Sequence, residues 1–257
     1  MELLETILKW HLIDYSTGII LLIVQSRLYF LALSMYWHDS VAHKHYTMVP
    51  WLEHVMRFCM WISSAIWYHG HLTVFTAQHR LHHLFTDTDK DPGSPYRFTL
   101  KQLWTYKWVV GAPRYVSPED IKKYADFSVE PTDAASMFYK RHQFLGIWIS
   151  TAIWTLLLGP VGFVLAYLSP YFNQYYGTFL GDWFWHKFGY KNPNGSSEAR
   201  NFLPFTFLGG GLHANHHAYP DKPNKAYHWF EVDFFYYGCV ILSWLGVLKF
   251  TKTFQSK

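Results

Sequence analysis

Two five-residue runs, His79-Arg80-Leu81-His82-His83 and His213-Ala214-Asn215-His216-His217, repeat one H-x-x-H-H pattern more than 130 residues apart. A third cluster, His38-Asp39-Ser40-Val41-Ala42-His43, precedes them, and a lone His186 lies between the second and third clusters. On a helix, side chains at i, i+3 and i+4 leave one face. Each H-x-x-H-H run is therefore expected to aim its three imidazoles at a common point, and the fold has to bring four distant segments to one place. The i, i+5 spacing of His38 and His43 is not one face of an α-helix, so the helix is expected to end or widen there.

What separates the clusters limits how they can meet. Half of the 257 residues are apolar, 21% are aromatic and only 16% are charged, a balance that suits a chain lying against a membrane and its interface. The net charge of +4, with no basic stripe, fits a bilayer surface and argues against a nucleic-acid partner. Cys59 and Cys239 sit singly in apolar runs, which points neither to a disulfide framework nor to thiolate metal ligation. Met1 to Trp10 carries two glutamates and one lysine and leads into the first apolar run without a small-residue cleavage signal, so that run reads as a retained anchor.

Residues 16–37 are long and apolar enough for a spanning helix that carries the first cluster at its end. Arg27 is its one charge, expected to snorkel, to face protein or to lie near an interface. Residues 51–78 are apolar but interrupted by charge. The first two clusters must share a side of the membrane, so this segment reads as interfacial or re-entrant. Residues 143–158 and 161–185, hinged at Gly159-Pro160, predict a membrane hairpin that delivers His186; residues 234–248 could span or lie flat. Between 86 and 141 the chain is polar and rich in turns, with Ser117 and Pro118 as a helix start. Asp87, Asp89 and Asp91 read there as a solvated loop, with orientation of ligand imidazoles as the alternative. All Lys and Arg except Lys9 and Arg27 follow His38, and by the positive-inside rule the clusters face the cytoplasm. The expectation is an all-α integral membrane protein, a single domain over 1–257, with about three to four transmembrane helices, interfacial amphipathic helices and a cytosolic helical cap that carries the metal site.

Neutral imidazole suits iron, copper, zinc and nickel. Nine imidazoles exceed one coordination sphere but supply two metals with four or five nitrogens each. A structural zinc site would be closed by four ligands, mostly cysteine. Two irons with open positions can instead activate dioxygen to attack an unactivated C–H bond, which side chains alone cannot do. Asp182, one turn before His186 on the same face, is expected to be a metal or water-holding residue. His45, His54, His69, His71, His142 and His228 lack cluster spacing and read as interface, supporting or core residues, His45 being the strongest candidate for a further ligand.

The boxes H-x-x-x-x-H, H-x-x-H-H and H-x-x-H-H, in this order and at these separations, resemble the membrane fatty acid desaturases of the acyl-CoA and acyl-lipid delta-9 type, from about Gly18 to Trp244. Asp91-Pro92, Trp185 to Tyr190, Arg200-Asn201 and His216 to Pro220 belong to the likeness. The resemblance implies a di-iron enzyme using dioxygen as co-substrate, a long-chain acyl substrate, and electrons from a separate carrier, a ferredoxin or a b-type cytochrome. It assigns metal-ligating roles to His38, His43, His79, His82, His83, His186, His213, His216 and His217. Three positions depart from the family pattern: Asp39 stands where Arg is usual, Asp182 where an Asn holds a metal-bound water, and Gly210 where a Glu precedes the third box. A hydroxylase or ketolase using the same irons is the alternative, although such families commonly open with H-x-x-x-H. A histidine-rich membrane metal carrier would need its ligands inside several spans.

Overall fold

The carboxylate of Asp14 accepts the Thr17 amide (2.8 Å) and starts the first helix, α1 (Tyr15–Ala32). The computed structural model describes residues 10–63, 72–103, 117–125, 130–207 and 210–251, excluding the side chains of residues 174, 175, 178 and 182. Residues 1–9, on which part of the anchor reading rests, lie outside it. From Leu33 to Ala42, α1 continues as a π-helix, and the His43 amide donates to the His38 carbonyl at 3.0 Å. Of the two outcomes that the spacing of the first cluster allowed, an end or a widening of the helix, this i to i+5 bond is the widening, and it places His38 and His43 on one face.

After strand β1 (Tyr46–Met48) come α2 (Pro50–Ile62) and α3 (Leu72–Phe85), then the short α4 (Pro118–Tyr124) and α5 (Ala134–Arg141). Helix α2 buries Leu52, Met56 and Met60 at i, i+4 spacing and exposes Trp51, Val55 and Phe58 on the other side. At 13 and 14 residues, about 20 Å each, neither α2 nor α3 reaches across a hydrocarbon core of about 30 Å. Helix α4 begins as the sequence indicated: Ser117 Oγ accepts the Asp120 amide and Pro118 occupies the first turn.

Helix α6 (Leu145–Gly177) is broken at Gly159, whose φ of 60° and ψ of −147° are a backbone state that glycine alone adopts without strain. The two limbs fold back on each other. The rings of Trp148 and Tyr167 are 6.2 Å apart, and a Cβ on Gly162 would overlap the Trp154 carbonyl. The predicted hairpin at Gly159-Pro160 is therefore present. Leu22 of α1 packs with Trp154, Leu158 and Ala166 of the hairpin. Tyr15–Ala42 and Leu145–Asn173 are long and apolar enough by length and composition to cross a membrane, the second only as this folded pair.

The chain leaves the hairpin through a π-helical turn (Thr178–Trp183) and one 3-10 turn (Phe184–His186). Strand β2 (Phe205–Thr206), α7 (His213–Ala218), β3 (Val232–Asp233), α8 (Phe234–Trp244) and β4 (Leu248–Phe250) follow. The all-α expectation is corrected in a small way. Strand β1 pairs antiparallel with β4 (Tyr46 opposite Phe250), and β2 pairs parallel with β3. The first of these ladders ties Leu248–Phe250 to the segment just after His43. Helix α8 has 11 residues, about 16 Å, too short to span; it buries Phe235 and Cys239 in the main core and exposes Tyr237, Ile241 and Trp244.

Candidate metal centre

The nine histidines singled out in the sequence converge, but not box by box. His38, His43, His79, His83 and His216 form one group, and His82, His186, His213 and His217 a second, with the possible ligand atoms of each group within 4.8 Å of one another. The expectation that the three rings of a box share one point is corrected. In the second box the i and i+4 rings (His79, His83) enter the first group and the i+3 ring (His82) the second; in the third box His213 and His217 enter the second group and His216 the first. Residues at i+3 and i+4 lie about 100° apart around a helix of 3.6 residues per turn. One helix thus feeds two centres, and α3 and α7 do so with opposite assignments.

Within each group the Nε2 atoms face inward. His79 Nε2 lies 2.7 Å from that of His43 and 3.0 Å from that of His83, and His38 and His216 are 3.2 Å apart. In the second group His213 Nε2 is 3.0 Å from His186 and 3.1 Å from His217. Two nitrogens each about 2.1 Å from one first-row metal at a right angle stand about 3 Å apart, so the donor set fits a metal in each group. Burial first, then neighbouring imidazoles, hold His43, His79, His83, His213, His216 and His217 well below the usual histidine range. The rings are neutral, the form that ligates.

The outward nitrogens have their own partners, which fix tautomer and ring orientation. His82 Nδ1 donates to Asp91 (2.9 Å), His186 Nδ1 to Asp87 (2.9 Å) and His217 Nδ1 to the Thr86 hydroxyl (3.1 Å). The solvated-loop reading is thereby corrected for Asp87 and Asp91 and stands for the exposed Asp89. Asp91 is fully buried and also accepts the amides of Asp87 (2.8 Å) and Gly93 (2.7 Å). Burial opposes its ionisation, but His82 and the two amides outweigh it and hold the carboxyl below its usual range. Asp87 reaches His186 from a left-handed backbone (φ 64°), which Asp tolerates better than most residues.

Asp39, a departure from the family pattern, is buried between His38 Nδ1 (2.6 Å) and Lys225 Nζ (3.1 Å). Burial opposes the charge on Lys225, yet Asp39 and Asp233 hold its ammonium above the usual range. The sequence reading missed Lys225, 186 residues from Asp39, and no local pattern marks it. It also missed the support of α7: Glu231 accepts from Asn215 Nδ2 (2.8 Å), Asn201 Nδ2 (3.2 Å) and Tyr190 Oη (2.7 Å), while Asn215 Oδ1 accepts from Asn192 and Asn201. A Cβ on Gly210, the other described departure, would overlap the Trp185 indole, so this chain has no room for a glutamate there.

His45 belongs to neither group. It stacks on His43 and its Nε2 donates to the Pro220 carbonyl (2.9 Å), a supporting place. His54, His142 and His228 contact Arg57, Phe138 and Phe230 away from the centre. His69, His71 and the side chain of Asp182 lie outside the described residues.

Both groups open on a cavity of about 590 Å³. His38, His79, His82, His213 and His216 line it, and Leu33, Phe75, Phe179, Leu180 and Phe184 contribute apolar walls.

A mostly helical protein with paired imidazole groups lining an apolar cavity is a candidate two-metal oxidoreductase of apolar substrates. No family model matches the chain. Curated relatives do. An sn-1 stearoyl-lipid 9-desaturase of Anabaena variabilis is 27% identical over 88% of this chain and 80% of its own length. The Delta-9 desaturase-like 1 protein of Arabidopsis thaliana is 28% identical over 95% and 78%, and an sn-2 palmitoyl-lipid 9-desaturase of a Nostoc species 27% over 83% and 73%. Over most of its length the chain is thus similar to delta-9 acyl-lipid desaturases, which are oxidoreductases.

Proposed function

We propose that the protein is an acyl-lipid delta-9 desaturase that inserts a cis double bond into a long acyl chain with two irons and dioxygen. The observation that carries the reading is the cavity: lined by apolar side chains together with imidazoles of both groups. His38, His43, His79, His83 and His216 would hold one iron, and His82, His186, His213 and His217 the other. Asp182, four residues before His186 in the sequence, is proposed to hold a metal or a metal-bound water. Bound there, the irons supply dioxygen activation strong enough to break an unactivated C–H bond. Overall, two hydrogens from neighbouring carbons, two electrons from the donor and two protons reduce dioxygen to two waters.

The protein's own part is positional. Phe75, Phe179 and Phe184 bind hydrocarbon and exclude water. Asp91, Asp87, Thr86 and Asp39 hold the imidazoles they contact in a single orientation. The relatives' names, stearoyl at sn-1 in one and palmitoyl at sn-2 in another, favour a lipid-bound chain of that size class. In this reading α1 crosses the membrane with the folded-back limbs of α6 embedded beside it, the exposed apolar faces of α2 and α8 lie in the interface, and the metal centre faces the cytoplasm, where ferredoxin or a b-type cytochrome delivers electrons. The whole chain, 1–257, acts as one domain.

Mass spectrometry of lipids from a host expressing the chain tests the proposal. The expected product is a cis double bond at carbon 9, absent with His82→Ala or His216→Ala. Hydroxylated chains would move the assignment to a hydroxylase, and unchanged lipids with a fully metallated protein would refute it.

A further inference from the structure

Among the described residues Lys225 is the only buried lysine. Its main chain is held on both sides: the amide donates to Asp233 Oδ2 (2.9 Å), and the carbonyl accepts from Nδ2 of Asn215 (2.9 Å), inside the third box. From this fixed backbone the ammonium lies 5.2 Å from the centroid of the Phe235 ring and meets Asp39, with Nζ 3.1 Å from Oδ2 and 3.4 Å from Oδ1. The same Asp39 Oδ1 accepts from His38 Nδ1 at 2.6 Å. Ammonium, carboxylate and imidazole therefore form one connected chain that ends on a member of the five-imidazole group. Stability does not account for it, because a buried ion pair returns little more than the desolvation it costs.

A carboxylate on the outer nitrogen of a ligating imidazole makes that ring a stronger donor, which favours the more oxidised state of the metal it holds. At the four-imidazole group this happens twice, at His82 through Asp91 and at His186 through Asp87. Among the described residues both carboxylates pair with the imidazoles alone, and no lysine or arginine shares them. At the five-imidazole group it happens once, and there the carboxylate is shared with an ammonium. Lys225 thus draws back part of what Asp39 gives His38, and its charge also acts on His216 of the same group. A unit charge within about 10 Å, at an effective dielectric constant of about 20, changes a one-electron equilibrium by about tenfold. The other buried carboxylate nearby, Asp233, spends its oxygens on the amides of Lys225 and Tyr236 (2.9 Å each) and is common to every variant considered below.

We propose that Lys225 is a positioning residue that acts through Asp39 and His38 to raise the reduction potential of the five-imidazole group's iron. That iron, and not its neighbour, then takes the first electron from the one-electron donor and passes from iron(III) to iron(II). The inference rests on the di-iron reading of the site and is independent of the identity of the substrate. Its consequence is an ordered reduction: the group with one shared carboxylate is loaded first, and the group with two unshared carboxylates second.

The test is an anaerobic redox titration of the full two-iron chain in detergent, with iron(II) and iron(III) counted by Mössbauer spectroscopy. The wild type is expected to reduce in two one-electron steps. Lys225→Met should lower the upper step by about tenfold in its equilibrium constant, about 59 mV for one electron, and leave the lower step in place. Lys225→Arg, which keeps the charge, should hold the upper step near its wild-type position. Asp39→Asn leaves the ammonium unopposed and should raise the upper step by a similar factor, so the test stands even where Lys225→Met, with a lone buried carboxylate, fails to fold. Asp91→Asn at saturating iron should raise the lower step alone, which assigns each step to its group. A purely structural Lys225 would change iron content or melting temperature but not produce shifts of opposite sign in the two variants. A single two-electron wave in the wild type, an upper step unmoved by Lys225→Met or by Asp39→Asn, or an equal shift of both steps would overturn the proposal. The two readings fail separately: a wild type that does not hold two irons sinks the di-iron reading, whereas two irons with potentials indifferent to Lys225 and Asp39 sink this inference alone.

Discussion

Replacing Asp91 with Asn isolates what a buried carboxylate does for a ligand it never shares with the metal. Oδ1 of Asp91 accepts from His82 Nδ1 (2.9 Å) and the Gly93 amide (2.7 Å), while Oδ2 accepts the Asp87 amide (2.8 Å). An asparagine that keeps its oxygen in the Oδ1 position turns its NH2 toward the Asp87 N–H, donor against donor. The orphaned amide costs about 1–3 kcal/mol, and His82 exchanges a charged acceptor for a neutral one. Asp87, which holds His186, sits on that same amide, so both effects fall on the group of His82, His186, His213 and His217. The expected result is a ten- to hundredfold weaker metal at that group, about 1.4–2.7 kcal/mol, with the five-imidazole group unchanged. Anaerobic iron(II) titration against a competing chelator reads this directly: the wild type should bind two equivalents in one range, and Asp91→Asn one equivalent there and one at higher free iron. Equal weakening of both equivalents, or of neither, would refute the assignment of His82 to its own group and of Asp91 to His82.

His83→Ala and His82→Ala, neighbours in sequence, should each abolish desaturation but deplete different groups, so that addition of His217→Ala to His82→Ala leaves the first group's iron in place; metal analysis after mild chelation decides this. Metal-free protein should lose stability as the pH falls below about 6.5. His43, His79, His83, His213, His216 and His217 are held neutral by burial, and below that pH the unfolded chain binds protons that the folded chain refuses, about 1.4 kcal/mol per pH unit for each imidazole at most. A melting temperature flat from pH 7.5 to 5.5 would contradict it. Gly159→Ala should lower the melting temperature in detergent through a strain of roughly 1–3 kcal/mol at its positive φ, without changing iron stoichiometry in the protein that remains folded. A tag inserted between Ser117 and Pro131 should be labelled only from the cytoplasmic side, and labelling from outside intact cells would invert the orientation.

The sequence by itself marked the nine histidines that converge, because coordination needs several imidazoles at short, repeated spacings and such spacings survive as local pattern. His186, a lone histidine, was reached through its place after the hairpin and through the family likeness. The hairpin was also legible, since Gly159-Pro160 between two apolar runs leaves the backbone few other choices, and of the two outcomes that the i, i+5 interval of His38 and His43 allowed, an end or a widening of the helix, the widening forms. The tertiary structure alone decided which imidazole serves which group: the 100° between i+3 and i+4 becomes a division only when a second helix with the opposite assignment faces the first. It alone turned Asp87 and Asp91 from loop residues into hydrogen-bond partners of the clustered imidazoles, because burial is a property of what packs over a residue and leaves no trace in its neighbours along the chain. The pairing of Asp39 with Lys225, 186 positions away, was hidden for the same reason. Two opposite charges that meet only in the folded chain are, in the sequence, two unrelated residues.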